Sequence, residues 1–284
     1  MRLGTYLDTG SDDPEETARA YVDAGYTAAV CPPVSLEQPE RIRAIREGFA
    51  RHDVMLAEVG VWNNMLDLDP AQRAANVEAN VRALAVADEL GALCCVNIAG
   101  SFHPTRWDGP HPRNLSDEAF ELTVQNVQRI IDAVQPKRAF YTLETMPWAI
   151  PDSPDNYLRL IEAIDRPMFR VHLDPVNLIN CPARYYGNAE FLRQCFAELG
   201  PWIVSCHGKD IVMQERLTVH LDEVRPGRGA LDYGVFLQEL SRLPGDVPLI
   251  LEHLAQEEYA AAREYVVGVA AEIGLAFHTA KGTT

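Results

Sequence analysis

The stretch FYTLETMPWAIPDSPDNYLRLIEAIDRPMFRVHLD, residues 140–174, contains one complete repeat of the architecture. Phe140–Glu144 is a short apolar run ending on an acid, and Phe169–Asp174 is a second run of the same kind. Between them, Ser153-Pro154-Asp155 provides a capping hydroxyl, a proline suited to the first helical position and an acid for the first turn. A helix is therefore expected over about 155–164. Strand, helix and strand in this order predict a βαβ unit with parallel strands.

The pattern continues in both directions. Further apolar runs lie at Leu3–Leu7, Thr27–Cys31, Met55–Gly60, Leu93–Ile98, Ile203–His207 and Leu249–Glu252, eight in all. Helical stretches are expected at roughly 14–24, 38–51, 70–90, 117–134, 189–199, 231–242 and 257–273. Asp13-Pro14, Asp69-Pro70 and Ser116-Asp117 read as helix starts, while Gly25, Gly91, Gly200 and Gly274 stand where a left-handed residue ends a helix. Eight alternating units predict an α/β fold, a (β/α)8 TIM barrel, as a single domain over residues 1–284. Two loops after strands are long, Gly100–Leu115 and Gly208–Gly229, and loops on that face carry barrel active sites. The tail His278–Thr284 reads as frayed.

Composition excludes several classes. No apolar run approaches the ~20 residues of a bilayer span, and the start turns acidic too early for a signal peptide. The six cysteines form no CxxC pair, which suits reduced thiols and a cytoplasmic location. A net charge of −16 weighs against nucleic acid, although acidic surfaces also serve solubility. The expected partner is a small molecule, with no nucleic acid and no membrane, in a homo-oligomer (dimer or tetramer) paired through outer helices.

Four consecutive strands end in a ligand-type side chain: Glu144, Asp174, His207 and Glu252. Any one alone would be an ordinary loop acid or core histidine. Together, in a closed parallel barrel, these ends form a ring and can converge on one point. Three carboxylates and an imidazole suit Mn2+, Mg2+ or Co2+ with positions left for substrate oxygens, whereas four tetrahedral protein ligands would close a zinc site. The two-residue strand period puts His172 below Asp174, either orienting a ligand from behind or sitting as a satisfied core histidine.

These segments resemble the xylose isomerase-like barrels, which include sugar phosphate isomerases and epimerases, ketose 3-epimerases and inosose dehydratases. The resemblance spans essentially the whole chain and is carried by Leu143-Glu144, Leu173-Asp174-Pro175-Val176-Asn177, His207-Gly208-Lys209-Asp210, Pro226-Gly227-Arg228-Gly229 with Asp232-Tyr233, and Leu251-Glu252-His253. It implies one divalent metal ion held by Glu144, Asp174, His207 and Glu252, with Mn2+ first and Mg2+, Co2+ or Zn2+ as alternatives. It also implies Glu144 and Glu252 as the proton-transferring pair of an isomerase or epimerase working on a sugar, keto-sugar or sugar phosphate through an enediolate. Asn177 departs from the pattern, since many members carry histidine there. The endonuclease branch uses three zinc ions and more histidines, which Gly60-Val61-Trp62-Asn63 and Asn97-Ile98-Ala99-Gly100 do not supply.

Around this centre, Tyr6, Trp62, Phe102, Trp107 and Trp148 are candidates for a wall against which sugar C–H faces stack, with Trp62 and Trp107 foremost and loop anchoring as the other reading. Asn177, Lys209 and Arg225 are further substrate candidates. Lys209 could neutralise an oxyanion or hold Asp210, and Arg225 and Arg228 could equally be surface charges. His103 and His111 could lend an acid or base from the long loop, while His253 should face the helices. The runner-up reading is a metal-dependent lyase, a dehydratase or glycoside-cleaving enzyme eliminating beside a ketone. A non-catalytic metal- or sugar-binding barrel subunit is the third.

Overall fold

The computed structural model describes residues 1–280. Its barrel strands are β1 (Arg2–Thr5), β2 (Ala28–Val30), β3 (Met55–Gly60), β4 (Cys94–Asn97), β5 (Phe140–Glu144), β6 (Phe169–Leu173), β7 (Ile203–Gly208) and, after a separate antiparallel ribbon of β8 (Asp210–Met213) and β9 (Leu221–Val224), β10 (Pro248–Leu251). All barrel pairs are parallel, and β1 against β10 closes the ring, so the expected (β/α)8 barrel is what the chain forms. The helices are α1 (Pro14–Asp23), α2 (Pro39–Arg51), α3 (Pro70–Leu90), α4 (Asp117–Val134), α5 (Pro154–Ile164), the short turns α6 (Pro175–Leu178) and α7 (Pro182–Tyr186), α8 (Asn188–Leu199), α9 (Tyr233–Ser241) and α10 (Tyr259–Glu272).

Local chemistry accounts for the helix starts. Asp13, Asp69, Ser116 and Ser153 each accept a hydrogen bond from a first-turn N–H, and proline occupies the first turn of α1, α3 and α5. Gly91 ends α3 at φ +70°, as expected. Gly200 does not: its φ is −46°, because α8 runs straight into a 3-10 turn, Gly200–Trp202, containing Pro201. The loop after β7 is a hairpin rather than an irregular segment. Asp210 pins its base by accepting from Ile211 N, Gly227 N, Gly229 N and Leu231 N at 2.8–2.9 Å.

The main core lies between strands and helices, where Leu3, Tyr141, Leu143, Val171, Leu173, Leu249 and Leu251 meet the inward helix faces. Inside the barrel the filling is uneven. One side holds Ala28, Ala57 and Ile250, packed so closely that a Cβ on Gly4 would lie 2.6 Å from Ala28 O. The other side is polar and carries Glu58, His172, Ser205 and His207, all buried.

At the opposite end, Arg2 pairs with Asp53 and Asp246, and His278 Nε2 lies 2.7 Å from Asp53. The expected fraying therefore does not begin at His278, whose N–H also bonds Met1 O; residues 281–284 of that expectation lie outside the described residues. Among the described residues no helix is long and apolar enough to cross a membrane.

Candidate metal centre

The four strand-end residues converge. Glu144 is the last residue of β5, His207 lies in β7, and Asp174 and Glu252 directly follow β6 and β10. One donor atom from each lies within 4.8 Å of all the others. Ligands about 2.0–2.2 Å from an ion are separated by at most about 4.4 Å, so closing on one requires only a few tenths of an ångström. His207 Nδ1 stands 3.0 Å from Glu144 Oε1, 2.9 Å from Glu252 Oε1 and 3.9 Å from Asp174 Oδ2. Asp174 is fixed by its neighbours: Thr145 Oγ1 receives its N–H and donates to its carbonyl, and Asp174 Oδ1 caps α6 through Asn177 N.

Lys209 belongs to the same cluster. Its ammonium is buried 2.7 Å from Asp174 Oδ2 and 2.5 Å from Glu252 Oε1, with Glu144 and Glu223 each at 3.6 Å. Its ion pairs are with these four carboxylates and not with Asp210, whose oxygens accept backbone N–H groups instead. Burial alone would discharge both Lys209 and His207; the surrounding carboxylates outweigh it and keep both cationic, well above their ordinary values. Burial also opposes ionisation of Glu144 and Glu252, but His207 and Lys209 hold both below the usual carboxylate range. Asp174, fully buried, absorbs the remaining conflict and is pushed up to about 7, with Lys209 resisting and Glu144 contributing.

A divalent ion fits this donor set. Asp174 Oδ2 and Glu252 Oε1 are buried and accept no well-aligned hydrogen bond, despite the nearby cations. The three carboxylates of the donor set share the ammonium of Lys209, so two positive charges would balance those four groups once His207 gave up its proton.

Sequence reading missed Glu58. It lies mid-strand in β3, where the register against β2 shifts by one residue between Ala29 and Val30. That irregularity lets Ala57 pack on Ile250 while its neighbour Glu58 also reaches the interior. Glu58 Oε2 lies 2.9 Å from His172 Nε2 and accepts from Ser205 Oγ at 3.3 Å; Oε1 lies 3.5 Å from His207 Nε2. Burial would raise its pKa, but the two histidines hold it down to about 2. The available signal was a glutamate inside Met55–Gly60, since a buried carboxylate persists only with partners. His172 is thus linked to His207 through Glu58, and its ring lies 4.1 Å from that of His207.

Above the cluster is a cavity of about 510 Å3 lined by Tyr6, Trp62, Trp107, Trp148, Asn177 and Lys209, among others. The Trp62 ring lies 6.3 Å from that of His207. Asn177 Nδ2 donates to Glu144 Oε1 at 3.1 Å, so it positions a carboxylate at the cavity wall. Several expected contacts are elsewhere. Phe102 is buried under Arg113, and Arg225 bonds Pro226 O and faces Glu258, as does Arg228. His103 and His111 accept backbone N–H groups of their own loop. His253 does not face the helices: at φ +57° it turns to the mouth, 3.2 Å from Glu223.

Known structures share this shape at low identity. The 3-keto-D-glucoside 4-epimerase of E. coli is 14% identical with a TM-score of 0.67, covering 95% of this chain and 99% of its own. A probable 3-DHS dehydratase from Bacillus anthracis is 15% identical with a TM-score of 0.68, covering 93% and 98%. Endonuclease IV from Thermus thermophilus is 14% identical with a TM-score of 0.71, covering 96% and 100%. Three different reactions at equal distance mean that the likeness establishes the fold and not the chemistry. No curated protein matches the chain in sequence. Residues 18–267 match the model of the xylose isomerase-like TIM barrel family, and the chain belongs to that family.

Proposed function

We propose that this protein is a metal-dependent sugar isomerase or epimerase that moves a proton at the carbon beside a carbonyl. The observation that carries the reading is the convergence of Glu144, Asp174, His207 and Glu252 under an aromatic-walled cavity. We assign the ion to these four residues and expect Mn2+, a choice that suits oxygen-rich sites with one imidazole. Bound there, the ion would polarise the carbonyl and stabilise the negative charge of an enediolate.

The chain's own groups supply the rest. Asp174 and His207 hold the centre. Glu144 and Glu252, both kept ionised, are the base and, after proton uptake, the acid. Asn177 holds Glu144 in place through Oε1, and Lys209 places a cation beside the developing oxyanion. Trp62 and Trp107 provide surfaces for sugar C–H faces.

Incubation of the Mn2+-loaded protein with candidate ketoses in D2O tests the assignment. Deuterium in a recovered sugar supports it; an unsaturated or cleaved product identifies a lyase instead. Glu144→Gln or Glu252→Gln retaining near-normal turnover with metal bound would remove the proton-transfer role.

A further inference from the structure

The cavity above the cluster does not end at the sugar-sized space over the four residues. It shares Tyr6, Val30 and Trp62 with a groove of about 770 Å3 that runs outward past Pro32, Pro33 and Leu36. Cavities of roughly 300–1,000 Å3 hold drug-sized ligands, so cavity and groove together exceed what one sugar ring fills. Tyr6, Trp62 and Leu36 are 55%, 42% and 40% exposed along this path, an unusual concentration of large apolar surface beside a polar centre. Pro32-Pro33 stiffens the outer wall, so ordering it on binding costs little.

Charge narrows the ligand further. Among the described residues, each lysine or arginine on these walls already faces a carboxylate: Arg106 lies 3.7 Å from Asp108, Arg82 lies 4.0 Å from Glu78, and Lys209 sits among the cluster acids. A phosphate would find no free pair of cations and would meet Glu223 and Asp108 instead.

We propose that the substrate is an uncharged glycoside whose sugar ring carries the carbonyl that the proton transfer requires, with that ring over the four-residue cluster and the apolar aglycone in the groove between Trp62 and Leu36. This rests on the reading that the cluster handles a sugar. Trp62 is the junction, since its ring borders His207 on one side and the groove on the other. The aglycone contributes affinity by covering apolar surface, and an aromatic ring stacks on the exposed indole.

Isothermal titration of the Mn2+-loaded protein tests this with three probes: phenyl β-D-glucopyranoside, methyl β-D-glucopyranoside and glucose 6-phosphate. The phenyl glucoside should bind about 10–100-fold more tightly than the methyl glucoside, and glucose 6-phosphate no more tightly than the methyl glucoside. Leu36→Asp, and independently Tyr6→Ala, should shrink the phenyl-to-methyl ratio below about threefold. Equal binding of the two glucosides, no binding of the phenyl glucoside, or preference for the phosphate overturns the proposal. So does an intact phenyl preference in Leu36→Asp accompanied by a change in oligomeric state by light scattering, which would mark the groove as a contact between copies. Deuterium exchange is scored separately, on the candidate ketoses, because the two glucosides carry no carbonyl and serve only as binding probes: phenyl preference without exchange leaves the groove assignment standing and removes the proton-transfer reading, and exchange without preference does the reverse.

Discussion

Glu58→Gln should weaken metal binding without removing a ligand. Glu58 is 2% exposed, ionised, and within 3.5 Å of His207 Nε2, the ring nitrogen pointing away from the cluster. An N–H donated from Nε2 to this carboxylate leaves the Nδ1 lone pair aimed at Glu144, Asp174 and Glu252. Glutamine keeps the volume, so no cavity opens, but the charge is lost and the amide can present its NH2 group to the histidines instead. A hydrogen bond to a charged group contributes about 1.5–3 kcal/mol. At 3.5 Å the present contact belongs at the low end. About 1.4 kcal/mol is tenfold in affinity, which agrees with the 10–100-fold losses typical of residues that orient a metal ligand.

The assay is titration of Mn2+ into metal-free protein near neutral pH, with thermal melting alongside to confirm folding. Glu58→Gln should bind about tenfold more weakly than the unaltered protein. Glu223→Gln is the control: it also removes one negative charge near the site, beside Lys209 at 3.6 Å, but Glu223 bonds none of the four cluster residues itself. It should cost less than about threefold. Equal losses in the two variants would reduce Glu58 to a diffuse charge, and an affinity within twofold of the unaltered protein would refute the orienting role altogether.

Glu144→Gln and Glu252→Gln should each lower turnover by about 10²–10⁴-fold in steady-state assays once a substrate is in hand. Metal uptake should release protons, because metal-free His207 is held cationic; calorimetry in buffers of different ionisation enthalpy counts them, and affinity should rise with pH. The sign for stability is opposite. The raised value of His207 stabilises the metal-free fold fully below about pH 6.5, and that contribution is lost as pH climbs through the folded-state value, read by melting temperature against pH. Asp210→Ala removes the acceptor for four backbone N–H groups at the base of the ribbon and should cost about 4 kcal/mol, roughly 10 °C in Tm by calorimetry. Asp53 and Asp246 are held low, against burial, by His278 and Arg2 and by the N-terminus and Arg2 respectively; their contribution is present above about pH 4 and lost as pH falls, so Asp53→Asn should flatten the acid limb of the stability curve.

Legibility from sequence followed the range of the interaction involved. Strand–helix alternation and first-turn caps are local, so β3 and β5 fall where periodicity puts them, and Ser153 caps α5 as its spacing implies. The four-residue cluster is non-local, yet barrel closure makes strand ends neighbours automatically, which is why Glu144, Asp174, His207 and Glu252 could be placed together before any distance was measured. Glu58 needed a register irregularity between β2 and β3, and strict two-residue alternation carries no trace of one. Loop side chains were the least legible. Arg225 and Trp107 are both polar-tipped or aromatic residues on long loops at the same face, but Arg225 turns to Glu258 and Trp107 to the cavity. The difference is set by what each loop is tied to. Asp210 cinches residues 227–231 back against the ribbon, whereas Asn114 and Ser101 gather the β4 loop over the mouth by bonding Gly109 O. A buried acid or amide that collects backbone N–H and carbonyl groups therefore decides which loop residues can meet a substrate, and such collectors can be sought in sequence as isolated Asp or Asn beside glycine-rich turns.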